Sequence, residues 1–387
     1  MLMFYFKKIL KSIMFVIITV IDYFIFKKND NCPDKTNNIL LVKIDGIGDY
    51  VLFRNFIEII KNSDKFRGCS ITLCANEICK DLAVHFDNDF IDDFIWIDPL
   101  KFALNLKYRR SVANDISSKT FDFAIQPTLA RQSLIGDSIV KFSNATNKIG
   151  NIGDLNNMSS FEKYFTDKYF DELIDTGKET EFEFQKNIKF FSKLTDSTIE
   201  LSKPNINIKA ENIYDEYILF TPGAGAKYRE WSADNYHSLA LKLYMKHKII
   251  ITGSIKDISL GNQIINDVPD AVNLTGKSSL IDLLSLIKNC KLLISGDTGA
   301  VHIAAALGKK FICISNGNSY KKFAPYPKEI FSDCRYIFPP LIERMLEQGR
   351  EDEVIIKYKY FSNLNINEIS VERVLIAIKD LLGDNNA

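Results

Sequence analysis

Ser295-Gly-Asp-Thr-Gly-Ala-Val-His302 holds an acid, a hydroxyl, two glycines and an imidazole within eight consecutive positions. It begins where the apolar run Leu292-Leu293-Ile294 ends, and it leads into an alanine-rich segment that closes at Gly308. A strand that stops at Gly-Asp-Thr-Gly and turns directly into a helix aims free backbone N–H groups and a positive dipole end at whatever lies above the sheet. That chemistry suits a phosphorylated ligand, with Asp297, Thr298 and Gly299 at the turn and His302 about one and a half helical turns beyond the acid. A helical histidine is often structural. Here its place after a glycine-flanked acid favours a role at the ligand.

Three further loops have the same strand-to-helix character. Asp45-Gly46-Ile-Gly48-Asp49 follows the apolar run Ile39–Ile44. Its glycines permit a tight turn and close ligand approach. Asp45 is expected to cap the turn and Asp49 to open the helix, where it could act as a general base or serve only as an acidic cap. Thr221-Pro-Gly223-Ala224-Gly225-Ala-Lys227-Tyr-Arg229 is a glycine-rich loop with two cations, suited to a pyrophosphate or equally to an ordinary exposed turn. Thr252-Gly253-Ser-Ile-Lys-Asp257 ends another strand. Asp257 reads first as a helix-start acid and second as a ribose ligand. None of these loops is G-x-G-x-x-G, which argues against a nicotinamide dehydrogenase. No second histidine or cysteine stands at ligand spacing from His302, so no metal is expected there.

The elements that must position these loops alternate regularly. Short apolar runs of buried parallel-strand type are expected at Ile39–Ile44, Ser70–Cys74, Asp93–Ile97 and Phe121–Ile125. In the second half they recur at Tyr217–Phe220, Lys248–Thr252, Lys291–Ile294 and Phe311–Ser315. Helical patterns lie between them: after Asp49 through Ile60, and over Glu77–His85, Phe182–Leu194, Ala233–His247, Leu280–Asn289 and Val371–Leu382. Residues 150–212 are polar and poor in strand signals, with an interdomain stretch from Pro204. Alternation of this kind predicts two doubly wound α/β domains, over 37–205 and 213–387, with ligands at the carboxyl ends of the strands.

The 387-residue chain has a formal net charge of +0, which gives no electrostatic case for a nucleic-acid partner. Cys69, Cys74 and Cys79 are spaced by five, unlike zinc-site pairs, and the seven cysteines read as reduced thiols. Residues 1–30 form a separate hydrophobic helix in this reading. The apolar segment Ile13–Phe26 is interrupted by Asp22 and falls short of the roughly 20 residues that span a bilayer. Lys7, Lys8 and Lys11 precede it and Lys27 and Lys28 follow. Residues 1–28 are therefore expected to lie on a membrane surface, with a spanning helix and a helix packed on the protein's own body as the other possibilities.

Four blocks in order, at 39–52, 220–236, 249–254 and 273–309, resemble glycosyltransferase family 9, the heptosyltransferases of lipopolysaccharide core assembly. The resemblance implies a GT-B architecture, with acceptor on the N-terminal domain and nucleotide-sugar donor on the C-terminal one. It implies inverting, metal-independent transfer without a cofactor, most simply of heptose from ADP-heptose to a lipid-linked glycan. Carried over by position, Asp49 is the base, and Asp45, Gly46 and Gly48 form the acceptor-side loop. Gly223, Ala224, Gly225, Gly253, Thr298, Gly299 and His302 fall at the donor, with Asp297 near the sugar and Asp257 near the ribose. The family has a lysine two residues before the tryptophan of the second block; this chain has Arg229 there, with Lys227 close by, so the resemblance leaves open which cation meets the pyrophosphate. The N-terminal hydrophobic segment and the regions 150–212 and 320–365 depart from the family. A different nucleotide sugar, or a silent sugar-nucleotide-binding protein tethered at the membrane, are the competing readings. The expected location is the cytoplasmic face of the inner membrane.

Overall fold

The computed structural model describes residues 2–25, 36–211 and 214–383, and these divide into two units. The first comprises Met1–Glu179 with Gln185–Glu200, and the second Thr180–Phe184 with Leu201–Ala387. Most of the linker expected between Asn29 and Asn38 lies outside the described residues.

The first unit opens with helix α1 (Leu2–Ile25) and strand β1 (Asn38–Lys43). It continues through α2 (Ile47–Phe53), α3 (Asn55–Asn62), β2 (Ser70–Asn76), α4 (Lys80–Phe86), β3 (Asp93–Ile97), α5 (Pro99–Leu104), α6 (Leu106–Ser118) and β4 (Phe123–Gln126). Then come α7 (Gly136–Phe142), β5 (Asn147–Asn151), α8 (Ser160–Thr166), β6 (Glu172–Ile174) and α9 (Glu183–Thr195), whose first residues fall in the second unit. The sheet order is β3-β2-β1-β4-β5-β6, all parallel. The helix expected to run through Ile60 is interrupted at Arg54, whose guanidinium turns to the buried Asp87 at 2.7 Å. The stretch after 150 holds α8 and β6, although its sequence is polar. These elements are short, and β6 is an edge strand, so neither needs a long apolar run.

The second unit contains β7 (Tyr217–Thr221), α10 (Ala233–Leu243), β8 (Lys248–Ile251), α11 (Ile258–Ile265), β9 (Val272–Asn273), α12 (Leu280–Asn289), β10 (Leu292–Gly296), α13 (Gly299–Ala306) and β11 (Phe311–Ile314). It closes with β12 (Cys334–Ile337), α14 (Pro340–Glu347), α15 (Glu351–Tyr358) and α16 (Val371–Leu382). The order β12-β11-β10-β7-β8-β9 repeats that of the first sheet when strands are ranked within their unit. Each sheet thus reverses its winding once, between β1 and β4 and between β7 and β10. In open parallel sheets the crevice at that reversal is where ligands bind. The central strands are fully buried, as continuous Ile/Leu/Val/Phe runs require of parallel strands covered on both faces.

The inner side of α1 carries both apolar and polar residues. Phe15 and Ile18 join the buried cluster of Leu40, Phe102 and Phe142, and Asp22, 3% exposed, accepts bonds of 2.8 and 2.7 Å from Nε and Nη2 of Arg109. No helix among the described residues is long and apolar enough to cross a membrane. Six cysteines among the described residues are free thiols, in line with the sequence reading.

Candidate functional site

Three of the four loops singled out in the sequence leave strands at the two winding reversals, and the fourth, Thr252–Asp257, leaves the neighbouring β8. In the first unit, Asp45–Asp49 leaves β1, and Thr128 follows β4 beside it. The expected cap is corrected here: Gly46, not Asp45, occupies the N-cap of α2, a position with no side chain to cap it. The Asp45 carboxylate instead accepts from Lys43 Nζ at 2.8 Å and from Thr128 Oγ1 at 2.5 Å. Lys43 also donates to Thr128 Oγ1 at 3.3 Å. A buried ammonium in the last position of a strand draws the nearest carboxylate inward, because an unpaired charge there would be costly. Asp49 stands in the first turn of α2, half-buried, with its Oδ2 3.7 Å from where a Cβ on Gly46 would sit. Gly48 lies in the same turn. Beneath the loop the Cys79 thiol is pushed up to about 12, first by burial and then by the charges of Asp49 and Asp45, so it stays protonated. Arg131, fully buried and paired to Asp167, pins the chain after β4.

In the second unit, Thr221–Arg229 leaves β7 and Gly296–Thr298 leaves β10. Thr298 is the N-cap of α13, its hydroxyl accepting from Ala300 N at 3.3 Å. Gly299 is the first residue of that helix, whose leading N–H groups lack intrahelical acceptors. Arg229 ends a short 3-10 turn and donates through Nη2 to the main-chain oxygen of Asp297; the same nitrogen is 3.9 Å from the Asp297 carboxylate. Trp231, two residues on, is buried and hooks its Nε1–H onto Ile369 O at 2.9 Å, which anchors the loop. Lys227 differs: its side chain is 88% exposed and pairs with Glu230 at 2.7 Å.

Burial raises the Asp297 carboxyl above the usual carboxylate range, an effect that Arg229 partly offsets. Burial, reinforced by Arg229, lowers His302 to about 4, so the imidazole is neutral at pH 7. Its Nδ1 lies 2.9 Å from the hydroxyl of Tyr326, which burial keeps protonated and therefore able to donate.

Asp257 serves a local purpose. Its Oδ2 accepts from Ser254 N at 2.8 Å and Ser254 Oγ at 2.7 Å, forming a capping box. The carboxylate also fills the space beside Gly223 and Gly253, where an added Cβ would approach it to 2.5 and 2.9 Å. Ala224 and Gly225 form the outer part of the loop, and Gly225 has open space on its Cβ side. Lys43, Thr128 and Tyr326 are the positioning residues that sequence reasoning missed. A lysine inside the apolar run ILLVKI was a usable signal for Lys43; Thr128 and Tyr326 approach their partners only through the fold.

Residues 109–335 match the family model described as glycosyltransferase family 9 (heptosyltransferase). Over 102 residues the chain is 33% identical to lipooligosaccharide heptosyltransferase 2 of Haemophilus influenzae, covering 24% of this chain and 30% of that protein. Over 113 residues it is 33% identical to lipopolysaccharide heptosyltransferase 2 of Escherichia coli K12, covering 27% and 32%. The chain thus spans about a third of the length of these curated relatives. Among solved structures, the family 9 glycosyltransferase of Veillonella parvula superposes with a TM-score of 0.68 at 18% identity, over 89% of this chain and 97% of that one. E. coli heptosyltransferase WaaC with ADP gives 0.66 at 14%, over 89% and 99%. At these identities the likeness concerns the fold.

Proposed function

The chain belongs to glycosyltransferase family 9, and from that premise we propose that it transfers a sugar, most simply heptose from ADP-heptose, to a lipid-linked glycan of the lipopolysaccharide type. The match over residues 109–335 carries this reading. The relatives' names supply the sugar, and a structure determined with ADP supplies the nucleotide.

In this mechanism Asp49 removes the acceptor hydroxyl proton as that oxygen bonds to the anomeric carbon. The carbon–oxygen bond to the diphosphate breaks in the same displacement, so the configuration inverts. The departing diphosphate gains negative charge, which Arg229 and the amino end of α13 at Thr298–Gly299 stabilise. Arg229 is chosen over Lys227 because it already lies against the Asp297 loop, whereas Lys227 is exposed and paired with Glu230. Neutral His302 contributes a hydrogen-bonding group without the desolvation cost of a buried imidazolium. Asp45 and Asp257 work indirectly, the first by holding the loop ahead of Asp49 and the second by supporting Gly223 and Gly253. The reaction runs without a divalent metal or cofactor, and full activity in EDTA is the expected check.

The chain acts at the cytoplasmic face of the inner membrane, held there through residues 1–28. The test is thermal stability of the full chain against ADP, UDP, GDP, CMP and their sugar conjugates, since a ligand that binds only the folded state raises the melting temperature. A shift confined to ADP and ADP-heptose supports heptose transfer. A shift with UDP or GDP sugars instead favours the second reading, transfer of a different sugar, for which the limited overlap with the curated relatives leaves room.

A further inference from the structure

Ile13, Val16, Ile17, Val20, Tyr23 and Phe24 of α1 recur at intervals of three and four, which draws one stripe along a helix. All six are exposed, from 44% for Val16 to 79% for Phe24. Side chains that face inward from the same helix include polar ones: Ser12 bonds to Ser159 and Glu162 at 3.1 and 3.2 Å, and Asp22 is clamped by Arg109. A helix against a domain in water ordinarily shows the reverse polarity.

Helix α8 repeats the inversion. Its buried side chains are Glu162 and Thr166, while Phe161, Tyr164 and Phe165 are 47%, 62% and 41% exposed. The half-exposed Phe161 meets Phe15, on the inner side of α1, edge to face at 6.5 Å, so the two helices lie side by side on the first unit. Cations border them. Lys168 Nζ lies 4.1 Å above the Tyr164 ring and 5.5 Å above Phe165, and in the sequence Lys7, Lys8 and Lys11 precede the stripe while Lys27 and Lys28 follow it. The one acidic residue of α1, Asp22, is neutralised internally.

Resting on the membrane-surface reading above, we infer that α1 and α8 together form one docking face for an anionic bilayer, with α1 lying in the plane of the interface. A contiguous outward apolar face with its polar groups bonded inward marks an interaction surface rather than a solvated one. Aromatic rings with a nearby ammonium suit the boundary between acyl chains and anionic headgroups. The Arg109–Asp22 clamp fixes α1 along the domain, so it inserts sideways to the depth of one side-chain layer and carries α8 with it.

The test is co-sedimentation of the full chain with vesicles of phosphatidylethanolamine and phosphatidylglycerol at 3:1, against pure phosphatidylcholine. Ile17→Asp/Val20→Asp alters α1 alone, and Tyr164→Ser/Phe165→Ser alters α8 alone. The chain should bind the anionic vesicles, and each pair should lower the partition coefficient at least tenfold, since each buried apolar side chain is worth a factor of that order. Trp96 emission and its thermal transition equal to those of the unaltered chain show that the first unit of each variant is folded. Binding that falls with the α1 pair but not the α8 pair overturns the shared face while leaving the anchor intact. Absence of vesicle binding, with the unaltered chain a dimer and the α1 pair monomeric, overturns both in favour of a second copy as the occupant.

Discussion

Replacing Asp22 with Asn removes one charge from a buried ion pair without changing the volume of the side chain. Asp22 and Arg109 are 3% and 1% exposed and joined by two bonds under 3 Å. After the change the Arg109 guanidinium is still buried among Phe102 and Phe142 and still donates to Leu134 O at 2.7 Å, but its counter-charge is gone. Breaking a buried pair from one side costs about 3–5 kcal/mol, and the retained carbonyl bond and ring contacts favour the lower end. For a unit of this size about 3 kcal/mol lowers the melting temperature by roughly 6–12 °C. The chain has two tryptophans, Trp96 in the first unit and Trp231 in the second. Emission of the native pair reports both units, and a Trp96→Phe background reports the second alone. Asp22→Asn should move only the component that Trp96→Phe removes. The double change Asp22→Leu/Arg109→Met should melt nearer the unaltered chain than Asp22→Asn does, because no orphaned charge is left behind. A shift below about 2 °C in the Trp96 component, or an equal shift in both, would refute the view that α1 is welded into the first unit through this pair.

Asp49→Ala should lower turnover by about 10²–10⁴-fold, the usual worth of a general base, with the ADP-induced melting shift unchanged. Arg229→Ala should weaken ADP binding by about ten- to a hundredfold, the loss of a charge-assisted bond, while Lys227→Ala changes it less than about threefold in calorimetric titration. The depressed His302 binds its proton less readily folded than unfolded, so its contribution to stability is complete above pH 6.5 and is lost as pH falls toward about 4. Denaturant unfolding across that window should therefore show a steeper decline for the unaltered chain than for His302→Gln, by up to about 1.4 kcal/mol per pH unit. The raised Asp297 carboxyl acts with the opposite sign and is common to both chains, so it cancels in the comparison.

Much of the second unit was legible along the chain. Continuous Ile/Leu/Phe runs of four or five residues, too short for a buried helix and bounded by glycine-bearing loops, fit strands buried on both faces. A glycine-bearing loop after each run marks the turn into a helix, so β7, β10, β11 and the start of α13 follow from local pattern alone. Leu280–Asn289 and Val371–Leu382 were bounded correctly because Ser279 and Ser370 are side-chain N-caps whose signal is local. Loops 45–49, 221–229 and 296–298 were recognisable as strand-to-helix turns for the same reason.

What the tertiary structure decided is how each charged group is employed. Asp45 and Asp49 are alike in sequence, yet the Asp45 carboxylate is turned inward to the buried Lys43 and to Thr128, a pairing that depends on β4 lying next to β1. Lys227 and Arg229 are two residues apart, and the anchoring of Trp231 on Ile369, 138 positions away, sends only Arg229 to the Asp297 loop. Asp22 looks like an interruption in a membrane segment until Arg109 is seen beside it. Local pattern determines periodicity, turns and caps because those energies arise within a few residues. The partner of a buried charge is set by long-range packing, and that partner determines whether the charge is structural or available for chemistry.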